Sequence, residues 1–168
     1  MKSLQVNYSP RRVMNALSSE EYIRFVAERT EMRTLSVEAI ELEDGAVTIV
    51  SIRAMKSDMI PANFRSFVGD ELEIRQTEAW ASAQPADDDE YHRVGTFALE
   101  IAGAPVRISG DVTLQGTRED ALLTYSGDVV ASIPLFGSMI ESAVAQSIGA
   151  VLAGQRDLLT EWLSTHTN

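Results

Sequence analysis

Residues 134–164 read PLFGSMIESAVAQSIGAVLAGQRDLLTEWLS, and this stretch decides how the rest of the chain must be arranged. No proline follows Pro134 within it. A proline suits the first turn of a helix, because its missing N–H group would have no helical partner there. The stretch therefore predicts a C-terminal helix about 45 Å long, which is longer than most globular helices.

This helix has one broad apolar side, which must lie on an apolar surface. At 100° per residue, that side is formed by Ile140, Val144, Ile148, Val151, Leu158, Leu159 and Trp162. Two polar residues, Glu141 and Gln155, interrupt it. Each of them either passes its apolar neighbours to bond a backbone group, or faces an internal cavity and orients a ligand.

The composition predicts a single globular domain over residues 1–168, which is long enough for a full core. With 25 acidic and 14 basic residues, the formal net charge is −11. That balance argues against nucleic acid or an anionic membrane surface as the main partner, because both need a positive surface. The chain has no cysteine, which excludes disulfides, thiolate metal sites and cysteine nucleophiles.

No apolar run near the start of the sequence is typical of a signal peptide, and the long helix carries too many polar residues for a membrane span. We therefore expect a cytoplasmic protein without stable membrane insertion. No metal-binding histidine spacing, Ser-His-Asp arrangement or phosphate-binding glycine loop is visible, so we predict neither a metal nor a cofactor.

The N-terminal part predicts a strand followed by two short helices. Apolar and polar residues alternate over 4–8, which is typical of a strand. Ser9-Pro10 then supplies a cap and a first-turn proline for one helix. Ser18 and Glu21 have the spacing of a capping box, which predicts that a second helix begins there.

From residue 34 onward the apolar period changes to two, which predicts six antiparallel strands. Asp44-Gly45 predicts a two-residue hairpin turn that sets Leu42 opposite Val47. An irregular insert before residue 70 carries Phe64 and Phe67, which could form a lid.

Symmetric closure of the later loops predicts a register for the remaining strands. It sets Glu78 opposite Arg93, Ile74 opposite Phe97, Leu99 opposite Ile108, Val112 opposite Tyr125, and Gly110 beside Gly127. One face of these strands is apolar, with an expected ion pair between Glu78 and Arg93. The two adjacent glycines predict strong bending of the sheet or close approach of another element, which we expect to be the long helix.

The order of elements resembles the helix-grip fold of the START-like superfamily, which includes the major birch-pollen allergen, lipid-transfer domains and aromatic polyketide cyclases. The sequence Ile133-Pro134-Leu135-Phe136-Gly137, followed by Ile140-Glu141, and the strand end Glu78-Ala79-Trp80 resemble an uncharacterised bacterial family within it. The resemblance implies an α+β fold in which a seven-stranded curved antiparallel sheet wraps around the C-terminal helix. It also implies a cavity for an apolar molecule, and it assigns no catalytic residue.

The strongest candidate for a polar site is Glu78 with Arg93 and Gln76, as either a structural ion pair or a ligand contact. Aromatic residues would line the cavity near it, and the long helix would close it. The predicted ligand-binding residues are Phe64, Phe67, Gln76, Glu78, Trp80, Arg93, Phe97, Tyr125, Ile140, Glu141, Val144 and Ile148.

Three functions agree with these features. The first is binding of a lipid-like or polycyclic molecule in the cavity. The second is an enzyme of the polyketide cyclase or dehydratase type, with Glu78 and Arg93 as its polar centre. The third is a protein-interaction scaffold whose filled core leaves no cavity, for which a large exposed apolar patch would be the sign.

Overall fold

A computed structural model describes residues 1–59, 62, 65, 69–83 and 90–166 of the chain. Phe64 and Phe67, the expected lid residues, lie outside the described residues. The elements in chain order are β1 (Lys2–Val6), α1 (Pro10–Leu17), α2 (Glu20–Arg29), β2 (Arg33–Glu41), β3 (Val47–Lys56), a short 3-10 turn (Ser57–Met59), β4 (Glu71–Trp80), β5 (Tyr91–Ile101), β6 (Val106–Gly116), β7 (Ala121–Ala131) and α3 (Gly137–Thr165).

The strands form one antiparallel sheet of seven strands in the order β1-β7-β6-β5-β4-β3-β2. The long helix α3 packs mainly on β1 and β7, and α1 and α2 also contact it. This arrangement confirms the predicted α+β helix-grip class.

The two short helices begin at serine caps. Helix α1 starts at Pro10 behind Ser9, as predicted. Helix α2 is capped by Ser19, whose Oγ accepts the Tyr22 N–H at 3.2 Å, so the prediction that Ser18 caps it is wrong. Ser18 is instead the last cap of α1, and its hydroxyl donates back to the carbonyl of that helix's final turn.

The turn between β2 and β3 is one residue longer than predicted. The Leu42 carbonyl accepts the Gly45 N–H at 2.9 Å, and the Leu42 N–H donates to the Ala46 carbonyl at 2.8 Å. Gly45 has a φ of +82°, a left-handed conformation that suits glycine. Leu42 therefore lies opposite Ala46 rather than Val47, because three residues and not two close the hairpin.

The register predicted for the last two hairpins is confirmed. Leu99 lies opposite Ile108, and Val112 lies opposite Tyr125. Gly110 and Gly127 are also paired. A Cβ atom at Gly110 would lie 2.1 Å from the carbonyl oxygen of Ser126, so β6 and β7 approach too closely here for a side chain. The atoms nearest to a Cβ at either glycine belong to the neighbouring strand, so the pairing of β6 with β7 requires glycine at both positions.

The register predicted between β4 and β5 is wrong. Ile74 lies opposite Ile101, and Glu78 lies opposite Phe97. Strand β4 ends at Trp80 opposite Gly95, whereas β5 already begins at Tyr91. The connection is therefore asymmetric, and the first residues of β5 extend past the end of β4.

Helix α3 begins at Gly137, three residues after the predicted start. Residues 134–136 form a turn, within which Leu135 has a φ of +69° that no right-handed helix accommodates. Pro134 thus precedes the helix instead of opening it. Glu141, in the first turns of α3, accepts the Ala131 N–H at 3.0 Å and so ties the helix to the end of β7.

The core consists of two apolar clusters along α3. The larger contains Leu152, Leu159 and Leu163 of the helix, packed on α1, β1 and the inner face of the sheet. The smaller surrounds Ile140 near the helix start. Val151, beside Leu152 of the larger cluster, is 65% exposed, so the middle of α3 is not fully covered by the core.

Candidate ligand-binding site

A cavity of about 570 Å³ lies between α2, strands β3 to β5 and the middle of α3. The volume is within the range of roughly 300–1,000 Å³ that is typical of small-molecule sites. Most of its lining is apolar, with Ile49, Ile74 and Leu99 from the sheet and Val151 and Leu158 from α3. The cavity can therefore accommodate an apolar molecule of moderate size.

The polar lining is concentrated on two neighbouring strands. Ser51 and Arg53 come from β3, and Gln76 and Glu78 come from β4, with Ser51 directly opposite Gln76. Alternate residues of a strand point to the same face, which brings these four side chains to the inner side of the sheet. From α3, Gln155 lines the same cavity.

Glu78 is at the centre of this polar group and is only 6% exposed. One carboxylate oxygen accepts from Gln76 Nε2 at 3.0 Å and from the Tyr125 hydroxyl at 3.3 Å. The other accepts from Trp80 Nε1 at 3.1 Å. Burial raises the pKa of the Glu78 carboxyl, although the three donors and the charge of Arg53 act to lower it.

Strands β7 and β4 are separated by β6 and β5 in the sheet. The contact between the Tyr125 hydroxyl and Glu78 therefore requires the sheet to curve. Strands β6 and β7 pair at Gly110 and Gly127, where neither strand carries a side chain. Phe97 packs edge-on against Tyr125, with 5.2 Å between the ring centroids. The tyrosine is therefore held by the sheet's curvature and by an aromatic neighbour.

Arg53 and Tyr22 each leave one buried polar atom without a partner. The Arg53 guanidinium donates through Nη2 to the Gln76 side-chain oxygen, but its Nε has no hydrogen-bond partner. The hydroxyl of Tyr22, which is 3% exposed, also has none. Burial lowers the pKa of Arg53 and raises the pKa of Tyr22 above its ordinary value, so at neutral pH the phenol keeps its proton.

Arg93 takes no part in this group, and the predicted ion pair with Glu78 is wrong. Its Nε donates to the Ala81 carbonyl at 2.7 Å, and its Nη2 donates to the Gly45 carbonyl at 2.6 Å. The cause is the register between β4 and β5, which sets Phe97 and not Arg93 opposite Glu78. Arg93 instead joins the end of β4 to the turn between β2 and β3.

The structure brings only some of the predicted site residues to the cavity. Gln76 and Glu78 line it directly, while Trp80, Tyr125 and Phe97 form a supporting layer behind Glu78. On α3, Ile140 and Val144 belong to the smaller apolar cluster, Ile148 packs against the larger one, and Glu141 bonds the backbone of Ala131.

The sequence analysis missed Arg53 and Tyr22 as site residues. A signal existed for Arg53, since it continues the alternation of Val47, Ile49 and Ser51 and so places a charge on the inner face of β3. In the sequence, Tyr22 has the helical spacing of the apolar residues Phe25 and Val26 and so gives no sign of a polar role. Its polar role depends on the tertiary position of its hydroxyl, which no local pattern encodes.

Two features of the described residues bear on metal binding and membrane insertion. No group of three or more histidine, aspartate or glutamate side chains in the described ranges is placed to hold a metal ion. In the same part of the chain, no helix is both long enough and apolar enough to cross a membrane.

Fold and cavity together define a helix-grip protein with a largely apolar pocket that is partly open to solvent. The chain belongs to the family described as protein of unknown function (DUF2505), whose family model matches residues 2–163. Uncharacterised proteins of Mycobacterium tuberculosis and Mycobacterium bovis are 19% identical over 161 residues, covering 92% of this chain and 90% of theirs. The crystal structure of TTHA0849 from Thermus thermophilus has a TM-score of 0.50 and 16% identity, covering 99% of this chain and 97% of that one, which supports the fold.

Proposed function

We propose that this protein binds a hydrophobic small molecule, either lipid-like or polycyclic, in the cavity between the sheet and α3. The observation that carries the proposal is a cavity of about 570 Å³ with an apolar lining and one polar group on β3 and β4. An apolar lining with a few polar groups is the usual composition of small-molecule sites. The resemblance to the START-like superfamily favours the same class of ligand.

The middle of α3 is a suitable entrance to this cavity. Val151 lines the cavity and is 65% exposed, so an apolar side chain lies at the boundary with solvent. Gly154 lines the cavity one turn further on, and a Cβ atom there would meet no other atom within 4 Å. Small residues at this place leave room for a ligand to pass between the helix and the sheet.

Native mass spectrometry of protein purified from its own cell extract tests the proposal. We expect a bound apolar molecule on the wild-type protein and on Gly149→Leu, because Gly149 is not part of the cavity lining and a Cβ atom there would meet nothing within 4 Å. We expect loss of that molecule from Gly154→Leu, because leucine would occupy cavity volume. Recovery of empty wild-type protein that also fails to bind Nile red saturably would refute the proposal.

An enzyme remains the second candidate because one observation favours it. Glu78 is buried beside the cavity, and its raised pKa suits a general acid or base. The polar partner in such an enzyme would be Arg53 rather than Arg93. In this case Glu78→Gln would abolish turnover of a polyketide-like substrate while leaving its affinity largely intact, whereas a binding protein would change only in affinity. The scaffold hypothesis required a filled core, so the cavity argues against it.

A further inference from the structure

We propose that the head group of the ligand is a carboxylate, which the Arg53 guanidinium and the Tyr22 hydroxyl receive at the β3 side of the cavity. The inference rests on the proposed binding function and specifies its ligand chemistry. It stands on two unpartnered donors in one cavity lining. It also stands on a cation that forms none of the direct ion pairs in the described part of the chain, although the nearby Glu78 acts on it.

The charge of Arg53 is the first reason to expect an acidic head group. None of the ion pairs in the described part of the chain includes Arg53. Glu78, the acidic residue of the cavity lining, is bonded instead to the neutral donors of Gln76, Trp80 and Tyr125. The guanidinium is always a donor and never an acceptor, so a negatively charged acceptor is its complement.

The two unpartnered donor atoms in the cavity lining are the second reason to expect an acidic head group. Buried polar atoms are paired in the large majority of cases, and each exception in a native structure requires a reason. Here the exceptions are Arg53 Nε and the Tyr22 hydroxyl, and both residues line the same cavity. One carboxylate presents two acceptor oxygens and could satisfy both donors. Because the two atoms lie beneath the cavity surface, we expect both side chains to rotate when the ligand enters.

The number of positive charges in the cavity lining favours a carboxylate over a phosphate. Arg53 is the cation among the residues that line the cavity, and Glu78 lies on the neighbouring strand. A carboxylate brings a single negative charge, which Arg53 can match. A phosphate monoester would bring nearly two charges and three acceptor oxygens close to a second acid, without a second cation to balance them.

Paired probes that differ only in the head group test this inference. Palmitate and 1-hexadecanol share one chain, and 1-pyrenebutyrate and 1-pyrenebutanol share one ring system, so the two pairs also distinguish a straight-chain from a polycyclic ligand. Affinities are measured for the wild type, Arg53→Met, Tyr22→Phe and the control Arg107→Met. Arg107 is exposed and pairs with Glu100 on the outer side of the sheet, so its change removes one positive charge far from the cavity.

We expect the wild type and Arg107→Met to bind the acid of at least one pair about tenfold more tightly than its alcohol. Arg53→Met should lose that preference through weaker acid binding, with alcohol binding changed by less than about twofold. Tyr22→Phe should lose part of the preference for the acid over the alcohol. Circular dichroism of each variant establishes that it is folded before its affinity is compared.

Other outcomes of these measurements would contradict either the carboxylate head group or the proposed binding function. Equal affinity of the wild type for acid and alcohol, or a preference that Arg53→Met retains, would overturn the carboxylate while leaving apolar binding intact. Failure of all four probes to bind would instead refute the proposed function itself. Retained preference in Arg53→Met but loss in the Arg107→Met control would likewise overturn the assignment to Arg53.

Discussion

Arg53 and Arg93 both project from the inner face of the sheet, but their hydrogen bonds differ. Arg93 is 7% exposed and donates to two backbone carbonyls, at Ala81 and Gly45. Arg53 donates to the side chain of Gln76 and has an unpartnered Nε beside a cavity. The first arginine joins two parts of the backbone, whereas the second keeps bonding capacity next to a space that a ligand could fill.

This difference separates a structural role from a candidate functional role. A buried donor that is bonded to the backbone contributes to folding, and its loss leaves the acceptors unpaired. A donor that is left unpartnered costs stability in the free protein, and that cost is recovered only when a suitable acceptor arrives. The comparison therefore predicts a large loss of stability when Arg93 is replaced and only a small change when Arg53 is replaced.

The largest expected effect is at Arg93. Arg93→Met should lower the free energy of unfolding by about 3 kcal/mol, because it removes the partner of two carbonyl groups and detaches the turn after β2 from the end of β4. Urea unfolding measures the change. Arg107→Met is the control, and we expect a change below about 0.5 kcal/mol for this exposed residue. Similar stabilities of the two variants would contradict the structural role of Arg93.

The pH dependence of stability tests the environment of Glu78, which faces Arg53, Tyr22 and Tyr125. Its pKa is raised in the folded state, so the folded protein binds the proton more tightly than the unfolded chain. Stability from this group is therefore present below about pH 4.5 and is lost as the pH rises through the folded pKa. Each unit of the rise is worth about 1.4 kcal/mol.

Glu78→Gln should remove this dependence. Urea unfolding of both proteins from pH 4.5 to 8 gives the difference in stability, and we expect it to shift in favour of the glutamine variant as the pH increases. A difference that stays constant or shifts toward the wild type would show that burial does not dominate at Glu78.

Tyr125 and Tyr22 differ in the same way as the two arginines, with a smaller expected effect on the free energy of unfolding. The Tyr125 hydroxyl donates to Glu78 at 3.3 Å, whereas the Tyr22 hydroxyl has no partner. Tyr125→Phe should lower the free energy of unfolding by about 1 kcal/mol, while Tyr22→Phe should leave it unchanged or raise it slightly. Thermal unfolding of both variants checks the difference. Equal losses would mean that the Tyr22 hydroxyl has a structural partner.

Arg53→Met should change the free energy of unfolding by less than about 1 kcal/mol. It removes an unpartnered buried donor, which favours folding, and it also removes the donor to Gln76, which opposes it. The replacement keeps a similar apolar chain length. A loss as large as that of Arg93→Met in the same urea experiment would erase the distinction between the two arginines.

Much of the fold could be predicted from local patterns where loops are short. The hairpin around Gly103 closes symmetrically, and so its predicted register agrees with the structure. The connection from Trp80 to Tyr91 is long and asymmetric, so counting residues from its midpoint could not give the register. That one error also assigned the wrong partner to Glu78. The start of α3 was missed because the left-handed conformation of Leu135 has no signature in its residue type.

The candidate site was less predictable than the fold. Gln76 and Glu78 could be found because polar residues interrupt an apolar strand face. The unpartnered atoms of Arg53 and Tyr22 depend on the relative positions of β3 and α2, two elements that are distant in sequence. Hydrogen-bond satisfaction is a property of the tertiary structure, and so the contrast between Arg53 and Arg93 could not be predicted from the sequence.

The smallest expected effect on stability comes from substitutions at two glycines of α3. These substitutions also distinguish residues that affect stability from residues that affect binding. Gly149 and Gly154 are both exposed, and a Cβ atom at either position would meet nothing within 4 Å. Alanine at either place should therefore stabilise the helix, by up to about 1 kcal/mol, because it reduces the freedom of the unfolded chain. Only Gly154 lines the cavity, so only Gly154→Ala should also weaken binding of an apolar probe.

Thermal unfolding and Nile red titration of the two variants measure both properties. A marked loss of stability in Gly149→Ala would mean that the backbone of α3 is not an ordinary exposed helix at that point. Equal effects of the two variants on probe binding would place the ligand elsewhere. A gain in stability at both glycines, with weaker binding only at Gly154, would separate the helix's contribution to folding from its contribution to the cavity.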